Sequence, residues 1–133
     1  MMGELNFISN RKGNQMSEFN VIYSDDNLAV VCLEPGHEYR VLKGIPAERS
    51  IEEMAQIVCS LSFQNGPIKE VGVNGVQNEP IIAALIDRLE LLDTTFPSDF
   101  NKNAIMHLKE AYKSLKARTA NRVERGVEGT NVE

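Results

Sequence analysis

The hydrophobic residues of the chain follow two spacings, one before about residue 77 and another after it. Between residues 19 and 43, short runs rich in Val and Ile are separated by turn-forming residues, which is typical of β-strands. The runs FNVIYS (19–24) and LAVVCL (28–33) flank a turn and predict a hairpin, and EYRVLK (38–43) predicts a third strand. Residues 1–17 are polar and aperiodic, so we expect a mobile N-terminal arm.

The stretch from residue 44 to residue 77 carries weaker signals. Ser50 and Glu53 have the spacing of a capping box, and IEEMAQIVC places apolar residues at helical intervals, so a short helix is predicted at 51–60. SFQNGPIKEVGVNG has no helical period, and its Asn-Gly pairs predict a strand pair flanked by tight turns. We therefore expect residues 18–77 to form a β-rich part with one short helix.

After residue 77 the spacing becomes that of an amphipathic helix. Asn78 is expected to cap a helix that has Pro80 in its first turn and continues through IIAALIDRLELLD to about Asp93. The apolar face of this helix is wide enough to need more than one packing partner. Self-association through the helices is therefore predicted.

A second long helix is predicted after Pro97. It is expected to start near Ser98 or Asn101, to run to about Glu124 and to end at Gly126. Residues 78–133 should then form an antiparallel helical hairpin with a short tail. The predicted fold class is α+β: a small N-terminal antiparallel β unit with a short helix, followed by a C-terminal antiparallel helical hairpin.

Composition excludes several classes of protein. The 133 residues carry a net charge of −5, which argues against a protein that coats nucleic acid by neutralising phosphates. No stretch resembles a signal peptide or a membrane span, so we expect a cytosolic protein that does not enter a membrane. Cys32 and Cys59 form no CxxC pair and are expected to be buried free thiols. Neither a catalytic motif nor a metal-ligand cluster is present in the sequence, so no enzymatic activity, metal or cofactor is expected.

The cations are concentrated in the last helix. A 3.6-residue period places a set of apolar residues on one face, and arginines continue that face toward Gly126: Ile105, Leu108, Tyr112 and Leu115, then Arg118, Arg122 and, less closely, Arg125. Arg118 and Arg122 have i, i+4 spacing, which lets two guanidinium groups grip phosphates or a base plane. An ordinary charged last turn that complements the helix dipole is the alternative. Asn101 could offer amide donors and acceptors to a base or ribose, or act only as a cap.

Three segments together resemble a known family: FQNGPIKEVGVNGVQNE (63–79), IDRL (86–89) and AIMHLKEAYKSLKARTANRVERGVEGT (104–130). They closely resemble the phage Thoeris anti-defence family, whose helical hairpin is shared with a phage anti-CBASS protein family. The resemblance covers about residues 63–130, and KART-x-x-R-x-x-RGVEGT is its most specific part.

The resemblance implies a phage protein that evades bacterial immunity by binding, without cleaving, cyclic ADP-ribose isomers made by TIR-domain proteins. It implies a homo-oligomer, a dimer or a hexamer built as a trimer of dimers, in the cytoplasm of the infected host. Some members also take up the cyclic di- or trinucleotides of CBASS signalling at a second kind of site.

The resemblance also implies roles for particular residues. Arg118 and Arg122 would contact the phosphates or adenine of the signal, and Asn101 would help at the head of the helix. Thr119 and Arg125 are second-rank ligand-binding candidates by position. The family stacks an aromatic ring on the base. Leu91 and Leu92 lie near that place here, and Phe96 is the nearest ring.

Three other classes of function remain open at the level of sequence. A small nucleic-acid-binding protein would use the basic last helix, and its binding would collapse with added salt. A ligand-free structural hairpin would make the arginines irrelevant to binding. A hydrolase of the signal would return an altered nucleotide.

Overall fold

The computed structural model describes residues 20–44 and 56–133 of the chain. The elements in these residues are β1 (Asn20–Ser24), β2 (Leu28–Glu34), β3 (Glu38–Lys43), β4 (Ile57–Ser62), α1 (Ile68–Val71), α2 (Asn78–Thr95) and α3 (Asp99–Glu124). They form two compact units, one that ends at Phe63 and one that begins at Gln64. The predicted α+β class is confirmed. The expected N-terminal arm and the capping-box residues Ser50 and Glu53 lie outside the described residues.

The first unit is a four-stranded antiparallel sheet with the strand order β1-β2-β3-β4. Both predicted turns and all three predicted strands are present, and Val30 on β2 pairs with Val41 on β3. The first turn is closed by Asp25, whose Oδ1 accepts hydrogen bonds of 2.8 Å from the backbone N–H groups of Asn27 and Leu28. Among the described residues, the buried apolar side chains all belong to the two central strands: Ala29, Val31, Cys32 and Leu42.

The predicted helix at 51–60 is wrong in its second half, because residues 57–62 form β4. This strand pairs with β3, with Cys59 opposite Val41 and Leu61 opposite Tyr39. A short run of β-branched and apolar residues fits both a helix face and a strand, and pairing with β3 decides in favour of the strand. Cys59 is a free thiol, as expected, but it is exposed because it lies on this outer strand.

The strand pair predicted within residues 62–75 is also wrong. The segment contains α1, a single helical turn, and its ends are joined by side chains. Asn74 accepts from the backbone N–H of Asn65 at 2.8 Å and donates to the Asn65 carbonyl at 2.7 Å. The Gln64 side-chain amide donates to Gly72 O at 2.9 Å and its oxygen accepts from Asn74 N at 3.0 Å. Together with the backbone hydrogen bond from the Gln64 N–H to Val76 O at 2.9 Å, these side-chain bonds close the loop without extended strands.

The helical hairpin is confirmed. Helix α2 begins one residue earlier than a cap at Asn78 requires, because Gln77 occupies the N-cap position without a side-chain hydrogen bond. Helix α3 is capped by Ser98, whose Oγ accepts from the backbone N–H groups of Phe100 and Asn101. Its end is marked by Gly126, which has a φ of 73° and donates its N–H to Val123 O. Neither α2 nor α3 is long and apolar enough to span a membrane.

Candidate functional site

One seam of α3 carries its least exposed side chains. Within α3 these are half-buried, apart from one buried arginine at the end: Asn101, Ala104, Ile105, Leu108, Tyr112, Leu115, Thr119 and Arg122. Arg118 and Arg125 are exposed and lie beside the seam, so the expectation that they continue the apolar face is wrong for both. The reason is geometric, because after Leu115 a step of four residues lands on Thr119 and the next step of three lands on Arg122. Of the three arginines, only Arg122 lies on this face.

Oxygen atoms of the segment that follows α3 accept hydrogen bonds from the guanidinium group of Arg122. Its Nη2 donates to Val127 O and Thr130 O, each at 2.9 Å, and its Nη1 donates to Val132 O. Its Nε lies 3.7 Å from Oε2 of Glu128. The Arg122 side chain is only 7% exposed. A charge so deeply buried is stable only when it is paired and hydrogen-bonded, and this set of acceptors meets that requirement.

The segment that receives these bonds, residues 127–132, is held from two sides. Toward α3, the Val127 N–H donates to Arg122 O at 3.0 Å. Toward α1, Gly129 O accepts from the backbone N–H of Lys69 at 3.1 Å. Gly129 has a φ of 80°, a backbone conformation that favours glycine, and a Cβ there would lie 3.0 Å from Cγ of the flexible Lys69 side chain. The 127–132 segment is therefore a defined part of the second unit.

Arg118 has different surroundings from Arg122. No residue in the described ranges forms a hydrogen bond or an ion pair with its exposed side chain. Arg125 is also exposed, and its Nε donates to Oδ1 of Asn121 at 3.0 Å. Thr119 lies on the seam, half-buried, one residue after Arg118. Of the two arginines with i, i+4 spacing, Arg118 is the one whose guanidinium can receive an anion without first losing a partner.

The other predicted ligand residues lie at the opposite end of α3. Asn101 donates its side-chain N–H to Phe96 O at 3.3 Å, and Phe96 is 70% exposed. Phe100, in the first turn of α3, is 83% exposed and was not predicted as a candidate. An aromatic residue directly before Asn101 was the sequence signal that could have indicated it. Leu91, near the end of α2, is 65% exposed.

The loop that carries Phe96 is fixed by Asp93. Its carboxylate accepts from Ser98 N at 2.9 Å and pairs with Nζ of Lys102 at 3.0 Å. The Ser98 hydrogen bond, followed by the Lys102 interaction, holds the pKa of Asp93 below its ordinary value of 3.8. The ring of Phe96 is thus presented by a short, tethered connection between α2 and α3.

The two groups of candidate residues do not meet within one chain. Helix α3 is continuous from Asp99 to Glu124, and at about 1.5 Å per residue Arg118 lies about 26 Å along the axis from Asn101. A single small nucleotide is far shorter than that. Asn101 and Phe96 therefore form one candidate cluster, and Arg118, Thr119 and Arg125 form another.

Comparison with known proteins gives a homologue for this chain. No family model matches it. A curated protein named Thoeris anti-defense 1, from Bacillus phage SBSphiJ7, is 42% identical over 83 residues, which are 62% of this chain. The chain spans 58% of the length of that relative. The resemblance to a Thoeris anti-defence family that the sequence motifs predicted is thereby confirmed.

Proposed function

We propose that this protein is a phage anti-Thoeris protein that sequesters a cyclic ADP-ribose isomer, the signal made by TIR-domain proteins, without cleaving it. The observation that carries the proposal is the 42% identity to Thoeris anti-defense 1. The structure adds support, because Arg118 offers a guanidinium fork suited to phosphate and Phe96 and Phe100 offer exposed rings suited to a base. The proposed place of action is the cytoplasm of the infected bacterium.

The binding site is proposed to form between two chains. Asn101 and Arg118 are too far apart on α3 to share a ligand, but two antiparallel copies of α3 bring the first cluster of one chain to the second cluster of its partner. The point midway between residues 101 and 118 falls between Lys109 and Glu110, so a two-fold axis there would create two identical sites. A hexamer would be a trimer of such dimers.

Exposed apolar surface on the hairpin supports this pairing. Helix α2 has no fully buried residue, although Ile81, Ile82, Ile86, Leu89 and Leu92 are half-buried. Leu85 is 43% exposed and Met106 is 49% exposed. Apolar surface that is this exposed to solvent in one chain is commonly buried against a second copy.

Sequestration requires high affinity for the ligand and no catalytic group. To deplete a scarce signal, the dissociation constant must be roughly nanomolar, equivalent to about −12 kcal/mol. Charge-assisted hydrogen bonds from Arg118, base stacking on a phenylalanine and desolvation between two chains are the contributions proposed here.

The test is calorimetric titration with glycocyclic ADP-ribose isomers, followed by heat denaturation and chromatography of the released ligand. We expect stoichiometric binding, recovery of intact ligand, and an affinity about 10- to 100-fold weaker in Arg118→Gln, since a hydrogen bond to a charged group is lost. Lys113→Gln is the matched control, because it removes a cation from an exposed face of the same helix outside the clusters.

Other outcomes would identify the competing functions. Absence of heat with every isomer would overturn the proposal, and cyclic di- and trinucleotides would then be titrated. Recovery of an altered nucleotide would indicate a hydrolase. Binding only to polynucleotides, with strong salt dependence, would indicate a nucleic-acid-binding protein.

A further inference from the structure

We infer that the loop of residues 64–76, which contains α1, makes its two Asn-Gly pairs chemically unequal: Asn65 is the deamidation site of the folded chain, whereas Asn74 is protected by its own side-chain hydrogen bonds. The inference is independent of the proposed function, because it concerns the side chains of the loop and involves no ligand. By sequence the two pairs are equivalent, since each asparagine precedes a glycine, and both asparagines are exposed.

Deamidation of an asparagine is an attack by the neighbouring backbone. The backbone nitrogen of the following residue forms a bond with Cγ of the asparagine, the bond from Cγ to Nδ2 breaks, and ammonia leaves with the proton from that nitrogen. Water then opens the cyclic imide at one of its two carbonyl groups and leaves aspartate or isoaspartate. A glycine favours the attack because it has no Cβ to hinder the approach.

The carboxamide of Asn74 is engaged at both of its polar atoms. Its Oδ1 accepts from the Asn65 N–H at 2.8 Å, and its Nδ2 donates to Asn65 O at 2.7 Å. The backbone N–H of Asn74 is also held, because it donates to Oε1 of Gln64 at 3.0 Å. For Cγ to reach the Gly75 nitrogen, the side chain must turn and lose both of its hydrogen bonds. The reaction at Asn74 therefore requires an opening of the loop.

The carboxamide of Asn65 has no such restraint. The hydrogen bonds that Asn65 makes use its backbone N–H and carbonyl group. Across residues 20–44 and 56–133, neither the Asn65 side chain nor the Gly66 N–H takes part in a hydrogen bond. Cγ of Asn65 can therefore turn toward the Gly66 nitrogen without the loss of a side-chain bond.

The same contacts determine how each conversion would affect the loop. Conversion of Asn74 to aspartate would place a carboxylate oxygen against Asn65 O, where the amide now donates a hydrogen bond. Two acceptors at this distance repel each other, so the loop should open. Conversion of Asn65 to aspartate would add a charge to an exposed side chain and leave the bonds of Asn74 in place.

The first experiment follows deamidation of the full wild-type chain at mildly alkaline pH, with and without concentrated urea. Lys69 lies between the two asparagines, so tryptic peptides report on each of them separately. In the folded chain we expect Asn65 to react at least about tenfold faster than Asn74, because Asn74 reacts only from the open loop. In urea, where the loop is lost, the two rates should become similar.

Three results of this experiment would overturn the inference. The first is a rate at Asn74 that equals or exceeds the rate at Asn65 in the folded chain. The second is absence of reaction at Asn65 over a time in which both residues react in urea. The third is the same ratio of rates in urea as in the folded chain, since sequence alone would then explain it.

The second experiment compares Asn74→Asp with the matched variant Asn65→Asp. The reporter is the backbone N–H of Gln64, which donates to Val76 O at 2.9 Å and so joins the ends of the loop. Hydrogen exchange of this N–H should become at least about tenfold faster in Asn74→Asp and stay unchanged in Asn65→Asp. Exchange along α3 is measured in the same samples and should not change. Unchanged exchange at Gln64 in Asn74→Asp, or equal acceleration in both variants or along α3, would contradict the inference.

Discussion

Arg118 and Arg122 lie one helical turn apart, and their surroundings make them chemically different. Arg118 is exposed to solvent, and Arg122 is buried against carbonyl oxygens of the 127–132 segment. The sequence predicted two suitable arginines because spacing and side-chain type are visible in it. It could not predict which one becomes buried. The carbonyl oxygens that accept from Arg122 lie in an irregular segment, and hydrophobic periodicity does not predict the structure of such a segment.

At the same scale, Asp93 should make stability depend on pH. Its pKa is lowered in the folded chain by the Ser98 N–H and then by Lys102, so its contribution to the free energy of unfolding is present above the ordinary value of 3.8 and is lost as the pH falls through the lowered pKa. Asp93→Asn should therefore be less stable than the wild type at neutral pH, and this difference should vanish in acid.

Urea denaturation at neutral pH and at a pH well below 3.8 measures this difference. Asp87→Asn is the matched control, since Asp87 is exposed on the same helix and has no partner in the described part of the chain. A difference between Asp93→Asn and the wild type that persists in acid would show that the carboxylate charge is not its origin.

Among the elements, the long helices were more predictable than the short segments before them. The ends of α2 and α3 lie within about two residues of those expected, because Pro97, the Ser98 cap and Gly126 are local signals. Strand β4 and the α1 loop were predicted wrongly. Their structures depend on a partner strand and on the amides of Gln64 and Asn74, which are not local to one run of sequence.

The Ser98 cap gives a prediction for α3. Ser98→Ala removes the acceptor for the Phe100 and Asn101 N–H groups and should lower the free energy of unfolding by about 1 kcal/mol. Ser114→Ala is the matched control. Ser114 is exposed in the middle of the same helix, so its replacement by alanine should leave the stability unchanged or raise it slightly. Thermal and urea denaturation of the wild type and both variants measure the effect. A Ser98→Ala variant as stable as the wild type would mean that the cap contributes nothing measurable.

For the whole molecule, the separation of Asn101 from Arg118 predicts complementation between chains. Asn101→Ala and Arg118→Ala should each weaken binding alone. Co-expressed, they should form mixed dimers in which one of the two sites is intact, since it takes Asn101 from one chain and Arg118 from the other. With random pairing, about a quarter of the wild-type number of tight sites should return.

Calorimetric stoichiometry of the co-expressed protein provides the measurement. The double variant Asn101→Ala/Arg118→Ala, co-expressed with the wild type, is the control for subunit exchange, since mixed dimers of that pair have no site with both residues. If no tight sites return in the complementing pair, the two clusters do not belong to one intermolecular site.

The distance along α3 has a consequence for dose. Under the proposed intermolecular site, a chain that is alone carries two half-sites, so capture of the proposed ligand should rise steeply with copy number until pairing is complete. By mass action the proposed ligand would in turn promote pairing of the chains, since a ligand that binds only the pair stabilises it. In an infected cell, such a protein would act as a threshold device: inert while few copies have been made, and abruptly effective once their concentration passes the point at which they pair.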